Sequence, residues 1–582
     1  MTRSEELQDA LVIAVPEDPA LVLDGCRRLL GPNLFGTSPG AVGDALCPGA
    51  DPDRVLARWA ALTRVMLDGI GWNAAQTVTR RFAGGCSLYV PAPVDQLFSA
   101  AYLIEAAWAF CASDLLGQPP RDPAAMIADL AALAQREANP VLRSLVDSAA
   151  QRGIDRLLDD DAVSLGHGTG ARTWPTDGLP DHPEWDALHD VPLALVTGTN
   201  GKTTTTRLIA AMGRAAGLVS GLSSTEFVSV GDEVLDRGDY SGPAGARLLL
   251  RDPRLELGVL EVARGGILRR GLPVTRARAA VVTNVAADHL GQYGIMSVPE
   301  LAQVKLSVHR ALAPGGLLVL NADDPHVVRA ASGVQATIGW FSLDPTCPQV
   351  VSARAAGVPC GWLQDGTIVL SDGRDAVPLI AVADVPLTLG GAARYNIENA
   401  LAAALAARAL GVADAAIRQV LASFRSDATD NPGRANEFRL NGARVFVDFA
   451  HNPHSIAAVT SALGAVPARR RFVLLSHAGD RSDDDIRGLT TGAFALKPDV
   501  VVAAENPKYL RGRQAGEVSA LIRKACLGQG LSAENVQMAD SPAAGAALIL
   551  GQLGPDDLAL LLVHDERGRI FEMLAAAGAK QA

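Results

Sequence analysis

The chain has 582 residues, too many for one hydrophobic core, so about three or four domains are expected. Apolar residues make up 48% of it, which excludes gross disorder, and a net charge of −11, with acids spread along the chain, excludes the basic face of a nucleic-acid-binding protein. Seven scattered cysteines with no CxxC pair exclude a disulfide framework or a zinc site and fit reduced thiols in a cytosol.

The first twenty residues have no basic stretch followed by an apolar run, so no signal peptide is expected. Every later apolar stretch is short or broken by charge, so no membrane span is expected either. Residues 55–70, 94–116 and 123–152 carry apolar residues at helical spacing, and Asp122-Pro123 reads as a helix start. Trp59, Trp72 and Trp108 read as core residues of this helical region. Residues 175–189, rich in Pro, Asp and Gly, read as a linker.

From residue 191 the texture changes. The runs LALV, ELGVLEV, AAVVTNV and GGLLVLNADD alternate with helical patterns, as βαβ units around a parallel sheet do. Residues 349–389 favour short strands with turns at Asp365-Gly366 and Asp372-Gly373. A second α/β stretch begins near Arg434, with ARVFVDFA, RRFVLLSH, PDVVVAAE and DLALLLVH as its strands. The expected architecture is α/β: a mainly helical (α+β) N-terminal domain over 1–185, a P-loop domain with a parallel sheet over 186–425, and a Rossmann-like α/β domain over 426–582.

LALVTGTNGKTTTTRLIA is a strand, a glycine turn and a helix start. Glycines let backbone N–H groups curl around phosphate oxygens, and the helix N-terminus adds its positive dipole end. Gly198, Thr199, Asn200, Gly201, Lys202, Thr203 and Thr204 are therefore the candidate phosphate-binding residues. Lys202 can reach the outer phosphates, and a threonine hydroxyl can sit on magnesium. Val196 stands where the longer P-loop pattern has its first glycine. Alone, the loop signifies nucleotide binding without fixing the reaction. Glu261 and Asp288-His289 end two further strands, and ligands of an open parallel sheet sit beyond such ends. A carboxylate beside a neutral imidazole suits a divalent ion there. Lys305, on a predicted helix, reads from periodicity alone as a solvated lysine.

Taken in order, GTNGKTTT, Glu261, DHL with His289, Lys305, NADDP at 321–325, RYNIENALAA at 394–403, PGR at 432–434 and DFAHNP at 448–453 resemble the Mur ligase family. The resemblance runs from about residue 191 to the C-terminus. Within the family, DRGDYSGPAGARLLLRDPRLELGVLEVARGGILRRGL and ENPKYLRGRQAGEVSALI are most similar to the ligase module of cyanophycin synthetases. The resemblance implies that Lys202 and Thr203 hold ATP phosphate, and that Thr203, Glu261 and His289 serve two magnesium ions. Lys305 matches a lysine carbamylated in many members, where it helps to hold the second metal. Lys202, His289 and Lys305 are thereby the catalytic candidates. Asn396 and Asn399 match a motif near the adenine, and Arg434 and Asp448 match ATP contacts from the last domain. His451 belongs to the same motif, and Phe449 stands where tyrosine is commoner.

The implied activity is ATP-dependent amide formation through an acyl phosphate, joining a small amino acid or peptide carboxylate to an amine. A homo-oligomer in the cytoplasm is expected, with no nucleic-acid or membrane partner. RGIDRLLDDDAVSLGHGTGARTWP resembles the opening of an ATP-grasp domain, yet the P-loop follows within about thirty residues, so a separate ATP-grasp ligase is a candidate partner and unaided polymer synthesis is not expected. Two other readings compete. A nucleotide-binding regulatory or scaffold subunit would hydrolyse ATP without amine dependence. A P-loop kinase or GTPase would lack the motif series after residue 391. Asp480, Glu505 and Glu566 are candidate carboxylates for a basic amine donor.

Overall fold

The computed structural model describes residues 3–119 and 122–581, which group into two compact units. The first holds residues up to 285, 289–341 and 404–413, and the second holds 286–288, 342–403 and 414–582.

The first unit opens with a four-stranded antiparallel sheet in the order β1-β2-β4-β3: β1 (Val22–Leu29), β2 (Gly40–Leu46), β3 (Val78–Phe82) and β4 (Gly85–Pro91). Helices α1 (Pro52–Gly69) and α2 (Leu97–Leu115) pack against this sheet. Trp59 and Trp108 are fully buried in that core and Trp72 lies against it, as expected. The predicted helical stretch at 123–152 is two helices, α3 (Ala124–Glu137) and α4 (Pro140–Gln151). Pro140 disfavours helical geometry at Asn139, which becomes the N-cap of α4 by accepting the Leu142 N–H. The four strands of this region were not legible as strands. β1 carries Arg27 and Arg28 because tertiary ion pairs to Asp44 and Asp160 absorb them, and that charge breaks the alternation a half-buried strand shows.

A small antiparallel sheet follows: β5 (Arg156–Leu158), β6 (Ala162–Leu165) and β7 (Arg172–Pro175). The linker region after it is mostly irregular, with one short turn of helix at Trp185–Ala187.

Next come β8 (Leu193–Thr197), α5 (Lys202–Ala215), β9 (Ser220–Ser223), β10 (Phe227–Val230), β11 (Glu233–Arg237), α6 (Pro243–Leu250), β12 (Leu257–Glu261), α7 (Arg264–Arg270), β13 (Ala277–Val282), α8 (Val298–Leu306), β14 (Leu312–Asn321) and β15 (Thr337–Ser342). The strands hydrogen-bond in the order β11-β10-β9-β12-β8-β13-β14-β15. All neighbours from β9 to β15 are parallel, and the hairpin β10-β11 closes the far edge. β8 is buried along its whole length between β12 and β13, which explains its unbroken apolar run. This central position puts the loop after β8 between the carboxyl ends of both neighbours.

The second unit contains the antiparallel strands β16 (Cys360–Gln364), β17 (Thr367–Ser371) and β18 (Ala376–Ala381), as the turn residues predict. Helix α9 (Arg394–Ala409) begins there. A further sheet has the order β23-β22-β21-β24-β20-β19-β25. Its parallel strands are β20 (Ala443–Asp448), β21 (Arg471–Leu475), β22 (Val500–Ala504), β23 (Val536–Ala539) and β24 (Leu558–Leu562); β19 (Asn436–Leu440) and β25 (Lys580–Gln581) are antiparallel. Apolar cores cover both faces of this sheet.

Candidate nucleotide and metal site

In the first unit, the loop after β8 turns on two glycines. Gly201 takes φ +83°, and Gly198 takes φ +148° so close to its neighbour strand that an added Cβ would stand 1.9 Å from Thr283 Oγ1. The end of β13 clamps the loop. Asn284 accepts the N–H of Thr199 on its carbonyl (2.8 Å) and that of Asn200 on Oδ1 (2.9 Å). Thr283 Oγ1 donates to the Asn200 carbonyl at 2.6 Å. Neither residue was singled out from the sequence; the signal was a polar pair directly after an apolar run, in AAVVTNV.

Four predicted residues meet here. Lys202, at the start of α5, donates from Nζ to the Thr199 carbonyl at 2.9 Å. Thr203 Oγ1 donates to Glu261 Oε2 at 2.9 Å, because β12 runs beside β8 and ends with Glu261 level with Val196. Lys305, a buried residue of α8, donates from Nζ to the Gly198 carbonyl at 2.7 Å. As an ammonium it is a donor with no lone pair for a metal; only a carbamate on Nζ would make it a ligand. His289 sits in the segment after β13, exposed, at φ +50°.

Among the described residues no three His, Cys, Asp or Glu side chains converge as a ready-made metal centre. The donors in place are hard oxygens, the Thr203 hydroxyl and the buried Glu261 carboxylate. That donor set fits magnesium, which binds through few protein ligands plus water and substrate phosphate.

In the second unit, Asp448 ends β20. Its Oδ2 accepts from Ala435 N (2.7 Å) and its Oδ1 from Ala450 N (2.6 Å). Burial pushes the Asp448 carboxyl above the usual range, against the pull of Arg434 and these N–H groups. The Arg434 guanidinium lies over the Phe449 ring, 4.9 Å from its centroid, so the phenyl replacing tyrosine still serves as a stacking surface. Asn452 of the DFAHNP motif caps helix α10 (Pro453–Gly464) through a capping box with Ser455, a structural task. Asn396 donates to the Leu387 carbonyl at 2.9 Å, and Asn399 donates to Asn396 Oδ1 at 3.1 Å; both are buried near the start of α9.

The carboxyl ends of β21 and β22 carry residues the sequence reading passed over. His477 and Asn506 are each 1% exposed, and neither ring nitrogen of His477 nor either amide atom of Asn506 has a hydrogen-bond partner in the protein. Ser476 Oγ is in the same state. Buried polar atoms without partners are rare, and these stand where ligands of a parallel sheet bind. His451 and His564 lie edge-on to Phe449, with ring centroids 5.1 and 5.4 Å away, and His477 lies beyond them, 6.3 Å from His564. Burial lowers the pKa of all three, that of His451 to about 3, so they are neutral at pH 7. The three carboxylates offered for a basic donor are otherwise engaged. Glu505 accepts from Gly516 N and Ser519 Oγ, Asp480 pairs with Arg511, and Glu566 accepts from Ala543 N and pairs with Arg569.

Residues 196–407 match the Mur ligase middle domain, and residues 433–562 match the domain described as Mur ligase, glutamate ligase domain. Two segments of the chain thus match Mur ligase domains. The Mur-type middle domain therefore carries the β8 loop, Glu261 and Lys305, and the glutamate-ligase-type domain carries Arg434 and Asp448. Cyanophycin synthetase from Synechocystis sp. is 38% identical over 363 residues, covering 61% of this chain and 41% of that protein. The UDP-N-acetylmuramoyl-L-alanyl-D-glutamate--2,6-diaminopimelate ligase of Chlorobium phaeobacteroides is 30% identical, covering 56% of this chain and 62% of its own. The matched segment thus spans about two-fifths of the cyanophycin synthetase. The structure of E. coli FolC in complex with DHPP and ADP aligns over 66% of this chain and 89% of that one, with a TM-score of 0.50 at 21% identity, a likeness of fold. Among the described residues no helix is long and apolar enough to cross a membrane.

Proposed function

We propose that this chain is an ATP-dependent carbon–nitrogen ligase that joins the carboxylate of an amino acid or peptide to an amine. The observation that carries this reading is the Thr203–Glu261 hydrogen bond beside Lys202, at the mouth of a glycine loop. A substrate carboxylate oxygen attacks the γ-phosphorus of ATP and ADP leaves. An amine nitrogen then attacks the acyl carbon, phosphate leaves, and the amine gives up a proton. Both steps depend on positioning and on charge neutralisation more than on covalent help. Loop N–H groups and Lys202 neutralise phosphate charge, and the Lys305 contact to Gly198 fixes the loop that presents them. Magnesium, held by Thr203, Glu261 and His289, would supply further charge neutralisation. Asn396, Asn399, Arg434 and Asp448 would complete nucleotide binding.

The working division assigns residues 1–185 to an N-terminal part, 186–425 to ATP and metal, and 426–582 to a Mur ligase C-terminal domain. A cytoplasmic homo-oligomer, working with or without a separate ATP-grasp ligase, fits this reading. The 38% identity to a cyanophycin synthetase supports an amino acid or peptide substrate. The test is phosphate release from ATP and magnesium, screened over pairs of carboxylates and amines. Release that requires both partners supports the ligase. Hydrolysis indifferent to any amine would favour a nucleotide-binding subunit instead.

A further inference from the structure

Within the first unit, well away in sequence from the phosphate loop, a shallow open recess is lined by Arg156 of β5, Arg247 of α6 and Arg270 at the end of α7. Its frame is fixed by backbone bonds. Leu30 N, just after β1, donates to the Arg270 carbonyl at 2.9 Å, and Leu272 N donates to the Pro32 carbonyl at 2.7 Å. The approach is so close that a Cβ at Gly31 would stand 2.4 Å from the Leu272 carbonyl oxygen. The recess is thus part of the framework and not a gap between loops.

Positive charge exceeds negative charge around it. Arg247 and Arg251 share one carboxylate, Asp159, at 3.3 and 2.8 Å, and Asp160 is taken by Arg28 at 2.9 Å. Asp155, which precedes Arg156 in the chain, has its oxygens on the N–H groups of Thr275 and Arg276 and on the Thr275 hydroxyl. Among the described residues no carboxylate lies within ion-pair distance of Arg156 or Arg270. Arg156 Nε is also buried without a hydrogen-bond partner. Burial works against the charge of all three lining arginines, and for Arg247 and Arg270 neighbouring guanidiniums add to that strain.

Guanidiniums gathered from three elements, with spare N–H groups and a charge surplus, match the two-oxygen edge of a carboxylate or phosphate. We propose that this recess binds a small oxyanion, at a site separate from the phosphate loop. An oxyanion there relieves the mutual repulsion of Arg247 and Arg270 and gives Arg156 its missing partner.

The experiment uses the full chain carrying Lys202→Ala, which silences the phosphate loop. Inorganic phosphate and succinate are each titrated into it by calorimetry at low salt. Saturable one-to-one binding of at least one is expected, and the one that binds tells a phosphate ligand from a carboxylate ligand. Arg270→Gln, at the end of α7, is expected to weaken that binding about tenfold or more with little change in melting temperature. Arg269→Gln, whose side chain turns back to the Gly265 carbonyl, is the control and leaves it unchanged. Arg156→Gln adds a second arm if it folds. No saturable binding of either anion, or equal binding by the parent and Arg270→Gln, overturns the proposal.

Discussion

Lys305 Nζ donates to the carbonyl of Gly198 at 2.7 Å, joining a buried residue of α8 to the first residue of the phosphate loop. The periodicity of ELAQVKLSVHR marks Lys305 as solvated; burial and this contact make it a brace for the loop. Replacing it by methionine keeps the bulk and removes the donor. We expect Lys305→Met to fold normally and to lower kcat by about a hundredfold or more, a loss typical of removing a preorganised charged group. Steady-state kinetics beside ADP titrations check this; kcat near the parent value would show that the brace is dispensable.

Lys202→Ala should lower turnover by at least about a thousandfold while leaving the melting temperature unchanged. Among the described residues its Nζ hydrogen-bonds only to the loop's own Thr199 carbonyl, so the fold does not depend on it. Full residual activity would refute the phosphate-binding assignment.

Gly198→Ala tests the loop geometry. The new Cβ would meet Thr283 Oγ1 at 1.9 Å, and alanine is strained at φ +148°. Overpacking of this kind costs about 1–3 kcal/mol. A lowered melting temperature and loss of ADP binding are expected, and a variant that binds ADP like the parent contradicts the clamp described for Thr283.

Glu261→Gln should raise the magnesium concentration needed for half-maximal activity, because the neutral amide weakens a hard-ion site shared with Thr203. An unchanged magnesium dependence would remove Glu261 from the metal site.

What the sequence revealed follows from how local each signal is. The phosphate loop is a strand, a glycine turn and a helix start within eighteen residues, so GTNGKTTT identifies it without any tertiary knowledge. Thr283, Asn284, His477 and Asn506 matter because neighbouring strands end beside each other, and strand order is invisible along one chain. β2 was missed because six of its seven residues are buried, which removes the alternation expected of a strand with one wet face.

The buried histidines His451, His477 and His564 are expected to make the second unit acid-sensitive. Their pKa values are lowered on folding, that of His451 to about 3, so below about 6.5 the unfolded chain binds more protons than the folded one. Their contribution to stability is complete above about 6.5 and is lost as pH falls toward the folded values, by up to about 1.4 kcal/mol per pH unit for each histidine. Asp448, with its raised pKa, acts in the opposite sense just above 3.8 and reduces the net slope there. Urea midpoints should drop between pH 7 and 5, and His477→Gln, which cannot take up the proton, should flatten that drop. A midpoint independent of pH would contradict the neutral buried cluster.

The chain should form one amide bond per substrate end and should not build a polymer unaided. Growth of a branched aspartate–arginine chain needs two alternating ligations, one on the backbone carboxylate and one on the side chain, each with its own acyl-phosphate site. The sequence has one phosphate loop of the GTNGKT type, and one set of oxygen donors accompanies it. Residues 168–191, where the segment resembling an ATP-grasp opening leads into β8, contain only a turn at Gly168–Gly170, β7 and a second turn at Trp185–Ala187. A single site could alternate only if its acceptor pocket held two different carboxylates at the same attack geometry, and misplacement by about 1 Å already costs about a hundredfold in rate. Purified protein incubated with ATP, magnesium, aspartate and arginine should therefore give no product beyond a single condensation by mass spectrometry. Insoluble or high-mass material of repeating composition, made by this chain alone, would overturn the argument.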